Sequence, residues 1–136
     1  MTRALFAALA LLASADPGAE AKNAYALEST GSTSQVRVGE QGKLVVVIRP
    51  LAPGWHIHPQ APLKIRFRSA GLAIAKAELS RADAVNPGAE APRFETSFVA
   101  SEGGEKEATA SLDFFICSDT ACVKQARTLS IPIAVR

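Results

Sequence analysis

The feature that most constrains the fold is a series of short segments in which apolar and polar residues alternate. In Pro62–Arg68, three apolar side chains point to one face and three cations to the other. This period of two is typical of a β-strand with one buried face. Lys43–Arg49 is instead continuously β-branched, which favours a strand buried on both faces. Together these patterns predict strands over Gln35–Val38, Lys43–Arg49, Pro62–Arg68, Leu72–Leu79, Arg93–Ser101, Ala108–Cys117 and Thr128–Val135.

About seven to eight short strands at regular spacing, with no long helix, predict an all-β fold. The class we expect is an immunoglobulin-like antiparallel β-sandwich. Ala-rich Leu72–Leu79 would also allow a short helix. Glu102–Glu105 predicts a hairpin turn, and a long loop is expected over Ala82–Pro92. Pro132 has no amide proton to donate, which indicates a sheet edge or a bulge.

The charge of the chain is nearly balanced. Lys plus Arg is 15 and Asp plus Glu is 13, a formal net charge of +2. No run of five like charges is present. Nucleic-acid binding and electrostatic coating of a membrane are therefore not expected. Hydrophobic residues make up 48% of the chain, which is typical of a globular domain.

Residues 1–15 have the pattern of a bacterial Sec-type signal peptide. Met1–Arg3 is a short positive start, Ala4–Ala13 is apolar, and Ala13–Ala15 is a small-residue cleavage site. Ten apolar residues are too few to span a bilayer, which needs about 20. We expect a periplasmic or secreted monomer without a membrane anchor. Residues 16–34 are expected to be a tail or a weak first strand, and 35–136 the sandwich domain.

The two cysteines, Cys117 and Cys122, stand at the junction of two predicted strands. The residues between them form turns readily, so a hairpin would bring the two sulfurs within disulfide range. Such a bridge closes a six-residue loop, which contributes roughly 2 kcal/mol against about 4.7 kcal/mol for a 100-residue loop. The residues alone leave three roles open: a structural disulfide, a redox-active pair and a metal site.

The segment Phe114–Cys122, with sequence FFICSDTAC, resembles the active-site hairpin of the DsbD N-terminal domain family. That hairpin has an aromatic residue three positions before the first cysteine, followed by C-S-D-T-x-C or a close variant. Pro53–His58 is similar to the glycine-aromatic strand of the family. The resemblance covers roughly residues 35–136, and the order of elements agrees.

The resemblance implies a periplasmic immunoglobulin-like domain that carries out protein thiol–disulfide exchange without a cofactor. Cys117 and Cys122 would be the exchanging pair. The implied partners are thioredoxin-fold periplasmic proteins and a separate membrane electron donor. Residues that could support the pair are Asp119, Phe114, Phe94 and Trp55. For Asp119 the alternative role is turn formation, and for Phe114 and Trp55 it is core or rim packing.

The chain departs from the family in three ways. The family commonly has prolines after the second cysteine, whereas Val123–Gln125 stands here. Its cysteines are shielded by an aromatic cap loop, but the corresponding Ala84–Pro92 has no aromatic residue, and Phe94 is the nearest candidate. The transmembrane and thioredoxin-like domains of the family are also absent from this sequence. These departures keep a second hypothesis open, a non-catalytic binding module with a structural Cys117–Cys122 disulfide.

His56 and His58 suggest a metal-binding alternative. The two residues form H-x-H on a predicted strand, so their side chains would share one face. With the two cysteines they would supply the four nitrogen and sulfur ligands of a copper or zinc site. Nothing in the sequence shows that the two regions meet.

Overall fold

The alternating segments form strands that assemble into two sheets. The computed structural model describes residues 17–136. In chain order its elements are α1 Pro17–Asn23, β1 Tyr25–Glu28, β2 Gln35–Val36, β3 Gln41–Pro50, β4 His56–Ile57, β5 Lys64–Arg68, β6 Leu72–Ile74, β7 Glu78–Ser80, the 3₁₀ helix η1 Arg81–Asp83, β8 Arg93–Ala100, β9 Gly104–Cys117 and β10 Cys122–Val135.

One sheet has four strands in the order β1-β3-β8-β6. The other has six strands, with the order β2-β10-β9-β5-β7, and β4 also pairs with β9. All of these pairs are antiparallel except the two-residue pairing of β2 with β10. Because β5 and β4 pair with different parts of β9, β4 lies beside the end of β9 that carries Cys117.

The core lies between the sheets and takes side chains from both. Phe94 and Phe98 come from β8, and Phe114 and Ile116 from β9; each is at most 1% exposed. Burying such a side chain contributes about 1.5–3 kcal/mol relative to leaving it exposed. The predicted antiparallel sandwich is therefore confirmed. Residues 44–48 of β3 are all buried, as the β-branched run predicted.

The segment predicted as one strand, Leu72–Leu79, is divided between the sheets. Its first part is β6, at the edge of the four-stranded sheet, and its last part belongs to β7, at the edge of the six-stranded sheet. Between them, the Ala75 amide donates to Ser97 O and Ala77 O accepts from the Phe67 amide. The chain thus crosses from one sheet to the other, and a continuous strand is impossible there.

The prediction of a hairpin turn over Glu102–Glu105 was also wrong. This segment connects β8 in one sheet to β9 in the other, so the two strands do not pair. Gly104 has a φ of 119°, a conformation that favours glycine. The glycines thus permit a change of sheet as well as they permit a hairpin.

The region 16–34 contributes more to the sandwich than a tail would. β1 pairs with β3, and Ala21, Ala24 and Tyr25 are buried. Pro132 lies where β10 has a neighbour on one side only, because β2 pairs just with Ala134 and Val135. The expected sheet edge at this proline is therefore present.

The proposed signal peptide, residues 1–15, lies outside the described residues. Within residues 17–136, no helix is both long and apolar enough to cross a membrane.

Candidate functional site

The two cysteines close the tip of the β9–β10 hairpin. Their Cα atoms are 4.0 Å apart on directly opposite strand positions, and the two sulfurs are bonded. A four-residue turn joins the strands, with the Ser118 amide donating to Ala121 O at 2.8 Å. Ser118 Oγ also accepts from the amides of Thr120 and Ala121, both at 3.3 Å. The predicted hairpin and disulfide are confirmed, because the Ser-Asp-Thr-Ala sequence satisfies its own turn.

The two halves of the disulfide differ in exposure. Cys117 is 2% exposed, whereas Cys122 is exposed to solvent. Strand order explains the difference. Cys117 stands between β10 and β4, whereas Cys122 starts a strand whose outer neighbour, β2, reaches only the other end. One sulfur thus belongs to an accessible residue and the other to a buried one.

β4 places the two histidines differently. His56 pairs with Cys117 in the register of β4 and β9, and its side chain is exposed. His58 follows the end of the strand, where its amide donates to Phe115 O at 3.0 Å. One ring nitrogen of His58 and the sulfurs of Cys117 and Cys122 all lie within 4.8 Å of one another. The structure therefore brings three of the four suggested ligands together, and the fourth, His56, is outside this cluster.

The ring of His58 is held by backbone amides. Its Nδ1 accepts hydrogen bonds from the amides of Gln60 at 3.0 Å and Ala61 at 2.8 Å. A nitrogen that accepts two N–H groups cannot itself carry a proton, so the neutral ring has its proton on Nε2. A metal-bound histidine usually donates its second ring N–H to an acceptor. In His58 the second nitrogen would be Nδ1, which faces two donors instead of an acceptor. Both sulfurs are also bonded to each other, so the cluster does not fit a metal in the disulfide form.

Arg81 fixes the loop that holds His58. Its Nε and one terminal nitrogen donate to Ala61 O at 3.0 and 2.7 Å. Burial lowers the pKa of the Arg81 guanidinium. The arginine thus ties η1 to the same residue whose amide donates to His58. No pattern in the sequence connects Arg81 with this loop, because the contact depends on how η1 packs.

The predicted supporting residues differ in burial. Phe114 and Phe94 are buried in the core, and Trp55 is half-buried against it. Asp119 is exposed in the hairpin turn. Phe115, which the sequence analysis did not select, is the aromatic residue on the face of Cys117, because residues two apart in a strand share a face. The alternation that grouped Phe114 with Ile116 already contained this signal.

The loop over Ala84–Pro92 lies beside β4. Most residues of this loop line a groove of about 490 Å³ together with His56, Ile57 and Pro59. Neither cysteine is among the described residues that line this groove. This groove is therefore shared by the loop and β4 and does not include the disulfide.

A buried polar network connects the sheets near the same hairpin. The Tyr25 hydroxyl donates to Gln125 Oε1 at 2.8 Å and accepts from Arg127 at 3.1 Å. The Tyr25 ring packs edge-on against Phe114, with centroids 5.0 Å apart. Burial raises the pKa of the Tyr25 phenol, more than the hydrogen bond and charge of Arg127 lower it. This network joins β1 to β10, and the sequence analysis missed it because its partners are a hundred residues apart.

Comparison with known proteins finds similar solved structures but no family. No family model and no curated protein matches the chain. The CARDB domain of a Pyrococcus furiosus protein, solved in complex with di-metal ions, is similar with a TM-score of 0.48 and 12% identity, over 82% of this chain and 87% of that chain. A conjugative transposon lipoprotein from Bacteroides eggerthii gives a TM-score of 0.41 and 10% identity, over 81% and 96%. AggA, the major subunit of Escherichia coli aggregative adherence fimbriae, gives 0.40 and 12%, over 82% and 94%. The likeness concerns the fold alone.

The chain is an immunoglobulin-like β-sandwich with one disulfide, which joins Cys117 at the end of β9 to Cys122 at the start of β10.

Proposed function

We propose that this chain is an exported domain that carries out thiol–disulfide exchange with other proteins through Cys117 and Cys122. The observation that carries the proposal is the unequal exposure of the pair: Cys122 is accessible and Cys117 is buried. Exchange requires a nucleophile to reach one sulfur of the disulfide, and access is one of the factors that set its rate. An exposed cysteine bonded to a buried one supplies a defined point of attack.

The reaction is a transfer of two electrons in two steps. In the reduced domain, the Cys122 thiolate attacks a partner's disulfide, forms a mixed disulfide and releases one partner thiolate. Cys117, after losing its proton, then attacks Sγ of Cys122 and releases the second partner thiolate. The partner ends as a dithiol and the domain as the disulfide seen here. The reverse sequence returns the electrons to the domain.

The position of the bridge also supports this role. It closes only six residues, and the hairpin that it caps is already paired from Gly104 to Cys117. By the loop-entropy estimate, such a bridge contributes about 2 kcal/mol. The fold therefore depends little on keeping this bond oxidised, which an exchanging pair requires. The resemblance of residues 114–122 to the DsbD N-terminal hairpin supports thioredoxin-fold proteins as partners, and the pattern of residues 1–15 supports export.

A second candidate is a non-catalytic binding module in which Cys117–Cys122 is purely structural. The observed fold and disulfide are all that a binding module requires. Exchange requires in addition that the bond can be reduced and that a partner protein reacts with it. The burial of Cys117 favours it, since a buried sulfur is protected from thiols. A copper or zinc version would need the reduced cysteines and a rearranged His58.

Two single variants separate the candidates. Cys117→Ala leaves the exposed sulfur free, and Cys122→Ala leaves the buried one free. Each is mixed with a thioredoxin whose resolving cysteine is replaced and whose remaining cysteine carries thionitrobenzoate, so that release of this group reports attack. We expect Cys117→Ala to react at least about tenfold faster than Cys122→Ala, because only its thiol is accessible.

The opposite order would reverse the roles of the two cysteines. If neither variant reacts while both are alkylated in urea, the disulfide is structural and the second candidate stands. Titration of the reduced protein with Cu(I) or Zn(II), alone and with His56→Ala or His58→Ala, tests the metal version. Saturable uptake that is lost only in His58→Ala would support it, and absence of uptake would remove it.

A further inference from the structure

We propose that His58 donates a hydrogen bond from Nε2 to the Cys117 sulfur when the disulfide opens, and so stabilises the buried thiolate. The inference rests on the proposed exchange function and assigns a role to a residue outside the cysteine motif. It starts from the two backbone amides on Nδ1, which leave the proton of the neutral ring on Nε2.

The strand order selects Cys117 as the acceptor. Across the sheet, β4 is followed by β9 and then by β10, so Cys117 stands between the histidine segment and Cys122. His58 is anchored directly to β9 by its amide, which donates to Phe115 O at 3.0 Å. One ring nitrogen of His58 lies within 4.8 Å of both sulfurs, so the imidazole stands beside the disulfide. Because Nδ1 already accepts two backbone amides, Nε2 is the ring nitrogen left to donate to sulfur.

A donor beside Cys117 would stabilise the charge that forms there when the disulfide opens. When a partner thiolate attacks Sγ of Cys122, the sulfur–sulfur bond breaks and its electron pair goes to Cys117. A thiolate then forms at a residue that is 2% exposed, where water is nearly excluded. Burial disfavours the charged form, and a hydrogen bond to that form favours it. A fixed donor beside Cys117 therefore lowers the barrier to bond opening, since a better stabilised thiolate leaves faster.

The surroundings of His58 fix its orientation. The Ala61 amide donates to Nδ1, and the carbonyl oxygen of the same residue accepts from Nε and one terminal nitrogen of Arg81. With Nδ1 occupied by two amide donors, the ring presents Nε2 as its hydrogen-bond donor. His58 is thus a hydrogen-bond donor and not a general base.

Two substitutions separate the functions of the two ring nitrogens. In His58→Asn, the amide oxygen takes the place of Nδ1 and can accept from the Gln60 and Ala61 amides, but no group replaces Nε2. In His58→Gln, the longer side chain can present a donor near the position of Nε2. The first variant keeps the loop and loses the proposed donor, and the second keeps the donor.

The experiment measures Cys117 directly and needs no partner. In Cys122→Ala, the rate of alkylation of Cys117 by iodoacetamide is followed against pH, which reports the thiolate fraction. We expect His58→Asn to lower that rate about tenfold at neutral pH and His58→Gln to restore most of it. Cys122 in the Cys117→Ala background is the matched control, and its rate should change less than about twofold.

An unchanged Cys117 rate in folded His58→Asn would overturn the inference, and so would an equal change at Cys122. Circular dichroism of each variant establishes that the fold is kept. If His58→Asn unfolds, wild type is compared with His58→Gln instead. His58→Gln loses the contacts with the loop amides but keeps the donor, so the alkylation rate of Cys117 should stay within about twofold of wild type. Failure of exchange with thioredoxin would leave these rates intact, so the two proposals fail separately.

Discussion

Reduction of the Cys117–Cys122 disulfide should destabilise the domain only slightly. The bridge closes a loop of six residues, for which the chain-entropy model gives about 2 kcal/mol at 25 °C. With an unfolding entropy of about 2.1 cal/mol/K per residue over residues 17–136, this corresponds to a fall of about 8 °C in Tm. For a two-electron couple, the same free energy shifts the disulfide equilibrium by about 45 mV. The fold therefore adds little to the resistance of this bond to reduction.

The assay is urea unfolding, followed by circular dichroism, with and without a phosphine reductant. The Cys117→Ala/Cys122→Ala double variant is the control, because the reductant should not change its midpoint. Loss of the fold on reduction, or a loss of more than about 4 kcal/mol, would refute the reasoning, since the six-residue loop cannot supply that much. Such a result would show that the bridge holds structure that the paired strands do not hold by themselves.

Two further predictions concern packing and pH. Gly42→Ala should destabilise the domain by about 1–3 kcal/mol, because the new Cβ would lie 2.3 Å from Cζ of Phe98. Gly103→Ala, where the nearest atom would be 3.7 Å away, should change stability by less than about 0.5 kcal/mol in the same urea assay; equal effects would contradict the packing argument. The raised pKa of Tyr25 means that its contribution to stability is complete below the ordinary tyrosine pKa of about 10 and is lost as the pH rises through the folded value. Tyr25→Phe should lower the free energy of unfolding by about 1–3 kcal/mol at pH 7, because buried Gln125 loses its hydrogen-bond donor. Above about pH 10, the stability of this variant should fall less than that of the wild type. Parallel pH profiles of the two proteins would contradict the assignment to Tyr25.

Local alternation predicted the fold well because it reports which face of a strand is buried. Lys43–Arg49 and Ala108–Cys117 became central strands, and the spacing of Cys117 and Cys122 predicted the bridged hairpin tip. The division of Leu72–Leu79 between sheets could not be predicted, since each half alternates equally well in either sheet. The same holds for Gly103 and Gly104, whose conformational freedom permits both a hairpin and a crossing between sheets.

The candidate site was predicted only where it is local in sequence. The cysteine pair lies within one hairpin, but His58 reaches it only because β4 pairs with the end of β9. The prediction that His56 and His58 share a strand face was limited by the end of β4 at Ile57. Arg81 and Tyr25 act through contacts between distant segments, which depend on the assembled sandwich and leave no periodic signal.

The reduction potential of Cys117–Cys122 tests the proposed exchange most directly. It is obtained by thiol trapping of the folded protein across a series of glutathione redox buffers. Exchange predicts a value between about −120 and −270 mV, the range of thiol oxidoreductases. A value below about −300 mV, typical of structural disulfides in secreted proteins, would contradict exchange and leave the binding module as the function to test.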